Sequence, residues 1–393
     1  MNIGIVTTWF PAGGGYVSKA YRHVLAQDHQ VFIYARGGKR YKGNSNWDDP
    51  QVTWASPHYK TTGIWSWHFR RWIRRNNIQI ILFNEQRHWY PLLVARKMGV
   101  VIGGYVDYYT QNTVSAFRVY DFLICNTQRH LSVFSWHPQC FYIPWGTDIH
   151  TFKPCETKIN RPVTFLLNAG WELQWERDRR GTSLALEAFQ TLQGECKLLV
   201  YSQASWKQML QKWRDLLSCD RRIEVKTGTF DPFPYTEADV YVYPSRSDGI
   251  GLTLPEAISS GLAAIIPDSP PMNEFVVKNE TGLCVEVEKY LARTDGYYWA
   301  ENICSLQQLT DAMRFYIDHP DVLEQHKQSA RKFAERNLCW IQNSTVLNQT
   351  FENVQRLDVP ETSVAQLTQL DCQRRQTSVL RKAGVFAYSL FNN

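Results

Sequence analysis

Short apolar runs rich in β-branched residues alternate with stretches of helical length along most of the chain. In the first half the runs are Asn2–Thr8, Gln30–Ala35, Ile78–Asn84, Val100–Asp107, Phe122–Asn126 and Cys140–Pro144. Most are continuously apolar, which is how a strand reads when both faces of a parallel sheet are covered. Helical stretches such as Val17–Gln27 and Ser66–Asn76 lie between them, so the pattern predicts a βαβ series. A second series follows the polar segment Cys155–Pro162, with strands over Val163–Asn168, Lys197–Tyr201, Ile223–Thr227, Val240–Pro244, Ala263–Pro267 and Leu283–Val287. The expected architecture is α/β, two doubly wound parallel-sheet units joined near residues 150–162. Ligands bind such sheets at the carboxyl ends of the strands, so two facing units would enclose a cleft. From about residue 358 the chain is polar and weakly patterned.

Composition narrows the class without choosing a function. The chain has 393 residues, 44% hydrophobic and 20% charged, with 43 Lys+Arg against 37 Asp+Glu, a net charge of +6. These values fit a globular protein of two domains. A charge of +6 over this length gives no strong basic stripe, which argues against a nucleic-acid partner. No apolar run reaches the roughly 18–20 residues of a membrane helix, and MNIGIVTTWFP lacks a basic segment followed by a long apolar one. The expectation is therefore a cytoplasmic protein. Nine cysteines without a CxxC pair read as reduced thiols, since the tightest spacing is Cys125, Cys140, Cys155. Aromatic residues reach 14%, with 15 Trp and 20 Tyr, which suits sugar stacking, an interfacial surface or heavy cores.

Three segments carry candidate chemistry. Phe10-Pro-Ala-Gly-Gly-Gly-Tyr16 follows the first strand and opens a helix; glycines let backbone approach a ligand, and helix N–H groups attract phosphate, although a plain structural turn has the same form. Tyr243-Pro-Ser-Arg-Ser-Asp-Gly-Ile-Gly-Leu-Thr-Leu-Pro-Glu-Ala257 places Asp248 in a loop and Glu256 in the first turn of a helix. Between them, the N–H groups of Gly249, Ile250, Gly251 and Leu252 can face a ligand. Carboxylates accept from sugar hydroxyls, and N–H groups serve phosphate or developing charge. Thr253-x-x-Glu256 is also the pattern of a capping box, in which both side chains satisfy their own helix end. In the third segment, Arg177-Asp-Arg-Arg-Gly-Thr182, Arg179 and Arg180 precede a helix over Ser183–Gln190. They form either a bidentate clamp for a diphosphate or a solvated charge run.

These residues, taken in order, resemble glycosyltransferase family 4. Tyr142-Ile-Pro-Trp-Gly-Thr-Asp-Ile-His-Thr-Phe-Lys-Pro154 is similar to the family's "IPNGVD…F.P" linker, and Arg179-Arg-Gly-Thr182 to its "RKGT" segment. Asp248 through Glu256 resembles its EX7E element, Pro270-Pro-Met-Asn-Glu274 with Thr281-Gly-Leu283 its "PPMNE…G" stretch, and Asp28-His-Gln-Val31 its "GHEV". The matches stay in register from residue 3 to about 345.

The resemblance implies a GT-B fold of two facing Rossmann-like domains with an interdomain cleft: 1–155 on the acceptor side, 156–345 on the donor side, and a partly helical tail, 346–393, packing back on the first. It implies retaining, metal-independent transfer of a sugar from a nucleoside diphosphate donor to a glycan or lipid-linked acceptor in surface polysaccharide biosynthesis, with no cofactor. Glu256 would hold the donor's ribose hydroxyls, and Asp248 with the amides of Gly249 to Leu252 the transferred sugar. Arg180 stands where the family has a diphosphate-binding lysine, Thr253 and Glu274 fall in its donor-side elements, and Gly14 and Gly15 would close on the phosphates. Asp248 replaces the usual glutamate, Trp171 stands where an arginine is usual, so that Arg179 or Arg177 substitutes, and Asp107 takes the place of an acceptor-side histidine. Two readings share this fold: a non-catalytic nucleotide-sugar-binding partner, and a nucleotide-sugar hydrolase or epimerase. A dinucleotide oxidoreductase is disfavoured, because neither half carries GxGxxG with an acidic residue about 20 positions on.

One further stretch, Trp65 to Arg75, places Trp65, Phe69, Trp72 and Ile73 on one helical face, beside Arg70, Arg71, Arg74 and Arg75. It reads either as a helix packing on the sheet or as a basic amphipathic surface for anionic lipid at the inner face of the membrane, and both can hold together.

Overall fold

The computed structural model describes residues 1–36, 38–58, 62–155 and 162–371. Most of the polar joining segment (156–161) and the last part of the predicted tail (372–393) lie outside the described residues. The chain divides into two compact units: residues 1–125, 130–143 and 346 onward form the first, and 126–129 with 144–345 form the second.

The first unit is built on seven parallel strands, β1 (Asn2–Thr8), β2 (Gln30–Arg36), β3 (Val52–Trp54), β4 (Ile80–Asn84), β5 (Val101–Tyr105), β6 (Phe122–Cys125) and β7 (Cys140–Tyr142), in the order β3-β2-β1-β4-β5-β6-β7. Its helices include α1 (Gly13–Leu25), α2 (Ser66–Arg75), α3 (Tyr90–Lys97) and, from His130 on, α4 (Gln128–Phe134). The aromatic richness of the chain enters this core through glycines in the strands. A Cβ on Gly4 would sit 2.5 Å from Trp72 of α2, and one on Gly103 would sit 2.1 Å from the ring of Phe122. The bare backbone lets these large rings close-pack on the sheet. Helix α1 starts at Gly13, four residues before the apolar pattern begins, because the glycine turn is itself its first turn.

The second unit holds six parallel strands, β8 (Val163–Gly170), β9 (Cys196–Ser202), β10 (Ile223–Thr227), β11 (Val240–Val242), β12 (Ala263–Pro267) and β13 (Gly282–Val285), in the order β10-β9-β8-β11-β12-β13. The run predicted as one strand over Leu283–Val287 is divided: β13 ends at Val285, and Val287 opens an antiparallel hairpin of β14 (Val287–Leu291) and β15 (Glu301–Cys304). The helices are α5 (Thr182–Gln190), α6 (Gln211–Ser218), α7 (Thr253–Ser259), α8 (Leu306–Asp318), α9 (Pro320–Asn337) and α10 (Trp340–Asn343). Segment 144–154 is tied to this unit by Arg331 of α9, whose Nη1 donates to the carbonyls of Ile149 (3.0 Å), Phe152 (3.1 Å) and Ser259 (2.9 Å). In each sheet the strand order reverses once, between β1 and β4 and between β8 and β11; crevices outside the strand ends at such points are the binding places of doubly wound folds.

Residues 346–371 belong to the first unit. Helix α11 (Leu347–Asn353) buries Leu347 and Phe351, the latter edge-on to Phe122 at 5.2 Å. The strap that follows is held by a buried ion pair: Arg96 Nη1 donates to Asp121 Oδ1 at 2.5 Å, Asp121 also accepts from the N–H groups of Leu357 (2.9 Å) and Ile102 (2.8 Å), and Arg96 Nη2 donates to the Leu357 carbonyl at 2.6 Å. Residues 361–371 are helical, and Asp371 accepts from the N–H groups of Trp89 (3.1 Å) and Tyr90 (3.0 Å) at the start of α3. That start otherwise lacks a side-chain cap, so the end of the described chain supplies one.

Candidate functional site

The switch point of the second sheet gathers most of the singled-out residues. From the end of β8 the chain enters a short 3₁₀ turn, Glu172–Gln174, and Trp171 before it stays 38% exposed. Glu172 turns inward. Its carboxylate accepts the N–H groups of Arg179 (2.5 Å) and Arg180 (2.9 Å), and so folds the arginine segment back over the strand end. Burial raises the Glu172 carboxyl against these N–H groups. Asp178 accepts the N–H groups of Thr182 (2.7 Å) and Ser183 (3.1 Å) and so caps α5. Gly181 stands between them at φ +69°, where a Cβ would lie 2.1 Å from the Pro244 carbonyl oxygen. Only glycine lets the two loops touch there.

The two arginines then point to different places. Arg180 Nη1 donates to the Asn168 carbonyl at 3.0 Å and its guanidinium lies against Gly170 at the β8 end. Arg179 Nη1 reaches the Ser247 carbonyl at 2.9 Å and Asp248 Oδ2 at 3.3 Å. Arg177 instead leaves the cluster, half-exposed and paired with Glu301 of β15. Of the two candidates for the family arginine, Arg179 is therefore the one beside Asp248.

Asp248 Oδ2 also accepts from the Tyr243 hydroxyl at 2.6 Å, and Oδ1 accepts from the Gly249 N–H at 2.8 Å. Burial pushes the Asp248 carboxyl up, but Arg179, Arg180 and these two donors outweigh it, and it sits below the usual range. Asp248 is thus ionised at neutral pH in a desolvated place, with cations beside it. Asp248 first, then Tyr243 and Glu172, hold Arg179 above its ordinary value despite burial.

Helix α7 begins at Thr253, so Leu252 rather than Thr253 is its cap residue, and no side chain caps it. The capping box is not formed. The Thr253 hydroxyl accepts from Tyr241 at 2.8 Å, and Glu256 Oε2 accepts from the Tyr235 hydroxyl at 2.8 Å. Burial raises the Glu256 carboxyl to about 7, opposed by the Tyr235 hydrogen bond and aided by the charge of Asp231. No side chain caps α7 at Leu252, the Gly249 N–H just before it is taken by Asp248, and Gly251 has φ +83° beside Met272 and Tyr243. N–H groups in this setting carry partial positive charge.

The remaining predicted residues lie elsewhere. Glu274, in the turn after β12, accepts from the N–H groups of Gln128 (2.6 Å) and Arg129 (2.8 Å), the crossing segment that belongs to the second unit. Arg129 carries this contact towards Asp248: its Nη1 donates to the Pro270 carbonyl at 2.9 Å and its Nη2 to the Asp248 carbonyl. Gly14, Gly15 and Asp107 lie in the first unit, at the carboxyl ends of β1 and β5. A Cβ on Gly15 would meet the Phe10 carbonyl oxygen at 2.1 Å, so packing requires glycine there, and the Gly14 carbonyl accepts from Asn84 at 2.9 Å. Helix α2 buries Phe69, Trp72 and Ile73 and leaves Arg71, Arg74 and Arg75 exposed, with Arg70 half-buried and Trp67 64% exposed. Among the described residues no group of three or more His, Cys, Asp or Glu is placed to hold a metal ion, and no helix is long and apolar enough to cross a membrane.

Glu172, Asp178, Arg129 and the three tyrosines were not singled out from the sequence. Each acts through a contact made by folding, and no spacing rule marks it.

Residues 177–295, which hold both arginines and all three donor-side carboxylates, match the family described as glycosyl transferases group 1. A lipopolysaccharide core biosynthesis mannosyltransferase, LpcC, of Rhizobium leguminosarum bv. viciae is 28% identical over 120 residues, which is 30% of this chain and 30% of that protein's length. Among solved structures, a glycosyltransferase from Rickettsia africae superposes with a TM-score of 0.70 at 14% identity, covering 90% of this chain and 99% of that one. The Anabaena protein HepE, in complex with UDP and glucose, superposes with a TM-score of 0.70 at 12% identity over 90% of this chain and 99% of that one. The fold is therefore the GT-B fold of these glycosyltransferases.

Proposed function

We propose, from the match of residues 177–295 to the glycosyl transferases group 1 family, that the chain is a retaining glycosyltransferase. It moves a sugar from a nucleoside diphosphate sugar to a hydroxyl of a glycan or lipid-linked acceptor, on the cytoplasmic side, in the assembly of surface polysaccharide. The observation that carries the reading is the cluster at the β8/β11 switch point: two arginines, an ionised and half-buried Asp248, and a start of α7 that no side chain caps.

Each part has a task. As the glycosidic bond breaks, the leaving diphosphate gains negative charge; Arg180 and the N–H groups of 250–252 stabilise that charge without reorganising, since the fold already holds them. Asp248 accepts from hydroxyls of the transferred sugar, its own charge balanced by Arg179. Glu256 accepts from the ribose hydroxyls, with Glu274 in the same donor half. With cations and N–H donors facing the diphosphate, no metal is needed. Surface polysaccharide as the setting is supported by LpcC, whose name assigns it to lipopolysaccharide core biosynthesis. Trp67 and the exposed arginines of α2 give the first unit a basic, aromatic face suited to the surface of an anionic membrane.

Incubating the protein with UDP-glucose or GDP-mannose and a lipid extract tests the reading. Transfer to an acceptor, with the anomeric configuration of the donor kept in the product by NMR, is the expected result. Release of free sugar alone, or inversion, would refute it.

A further inference from the structure

A strand in the middle of a parallel sheet is buried on both faces and is ordinarily filled by Val, Ile and Leu. β11 and its approach instead carry Tyr235, Tyr241 and Tyr243, all at or below 1% exposure. A buried phenol brings a hydroxyl that must find a partner, and phenylalanine would fill the same volume without that demand. The three rings form a continuous stack: Tyr235 meets Tyr241 edge-on at 5.9 Å, and Tyr241 lies over Tyr243 at 5.4 Å. Each hydroxyl ends on a different residue of the segment that follows: Tyr243 on Asp248 Oδ2 (2.6 Å), Tyr241 on Thr253 Oγ1 (2.8 Å) and Tyr235 on Glu256 Oε2 (2.8 Å).

We infer that this tyrosine stack is a positioning device for the donor: its hydroxyls fix the rotamers of Asp248, Thr253 and Glu256, and so aim both carboxylates at the nucleoside diphosphate sugar. The inference rests on the donor-site reading above. The stack is rigid because its rings are packed in the sheet, and a side chain held by a rigid neighbour loses little freedom when the ligand arrives. With Tyr235 on Oε2, the Oε1 oxygen of Glu256 accepts from no donor among the described residues and is left for a ligand hydroxyl. Burial drives all three phenols above their ordinary range, so they stay neutral donors through the physiological span.

Three full-length variants, Tyr235→Phe, Tyr241→Phe and Tyr243→Phe, test the inference by calorimetric titration with UDP-glucose and with GDP-mannose between pH 6 and pH 9, beside thermal unfolding. All keep the ring and its packing. The expected result is near-native unfolding temperatures and about tenfold weaker binding of the nucleotide sugar in Tyr235→Phe and Tyr243→Phe, the effect of losing a hydrogen bond to a charged group. Tyr241→Phe, whose hydroxyl serves a neutral partner, is expected to lose less. A second readout belongs to function alone: the pH below which binding weakens, set by Glu256 at about 7, moves upward in Tyr235→Phe and stays in place in Tyr243→Phe. Wild-type affinity and an unmoved pH profile in both variants would overturn the inference while leaving the donor site standing. Failure of the wild type itself to bind either nucleotide sugar at millimolar concentration would overturn the donor-site reading, and the inference with it.

Discussion

The Glu256→Gln substitution keeps the shape of the side chain and an oxygen for Tyr235 while removing the charge. In the native protein this carboxyl is raised from 4.5 to about 7, because it is buried. Between those two values the folded state holds a proton that the unfolded chain has lost, so stability falls as pH rises through this window and is level above it. A difference of 7 − 4.5 = 2.5 at 1.36 kcal/mol for each is about 3 kcal/mol in all, of which about 2–3 kcal/mol falls between pH 5 and pH 8. The variant has no such slope at this position. Urea unfolding at both pH values is expected to show Glu256→Gln gaining about 2–3 kcal/mol on the wild type as the pH rises. Nucleotide binding moves the other way, since the ribose hydroxyls lose a carboxylate acceptor. A variant more stable at pH 8 and poorer at binding would mark a group kept for ligand rather than for fold. A difference in stability that does not change between pH 5 and pH 8 would refute the reasoning. An equal loss of about 0.5–2 kcal/mol at both, with binding intact, would return Glu256 to the role of a helix cap.

Three further outcomes follow from particular contacts. Gly181→Ala adds a Cβ 2.1 Å from the Pro244 carbonyl at φ +69°, and is expected to separate the arginine loop from the Asp248 loop and abolish nucleotide binding in calorimetry. Asp121→Asn leaves Arg96 buried without its counter-charge, with an expected cost of about 3–5 kcal/mol and release of the strap around Leu357, read by limited proteolysis of the C-terminal region. Replacing Arg71, Arg74 and Arg75 together by Glu is expected to end co-sedimentation with phosphatidylglycerol vesicles while leaving nucleotide binding unchanged; equal sedimentation would remove α2 from the membrane role.

The parallel strands were legible because burial on both faces leaves an unbroken apolar run, and Ile223–Thr227 and Ala263–Pro267 keep their expected bounds. β3 has only three residues, too few to show a period, and the β14 strand, Val-Glu-Lys-Tyr-Leu, is largely exposed and offers no buried face to read. Among the site residues, Asp248 and Glu256 stood out because a loop with two glycines and a helix start lie in one continuous segment. The capping box at Thr253 failed by a single position: the helix starts at Thr253 itself, and tyrosines from β11 and its approach take both of its polar groups. Glu172 reaches residues seven and eight positions on, and Arg129 reaches Asp248 across 119. Contacts of that length are set by topology, which local pattern does not carry.

The central claim is that the switch point of the second sheet holds a nucleoside diphosphate through Arg180 and the neighbouring N–H groups. Isothermal titration of UDP, GDP, CDP, ADP and dTDP into the wild type and Arg180→Ala, in the presence of EDTA, tests it most directly. One nucleotide is expected to bind the wild type without metal and to bind Arg180→Ala at least about tenfold more weakly, as follows from losing a charged partner. Equal affinity in the two proteins, or no nucleotide bound by the wild type at millimolar concentration, would contradict it.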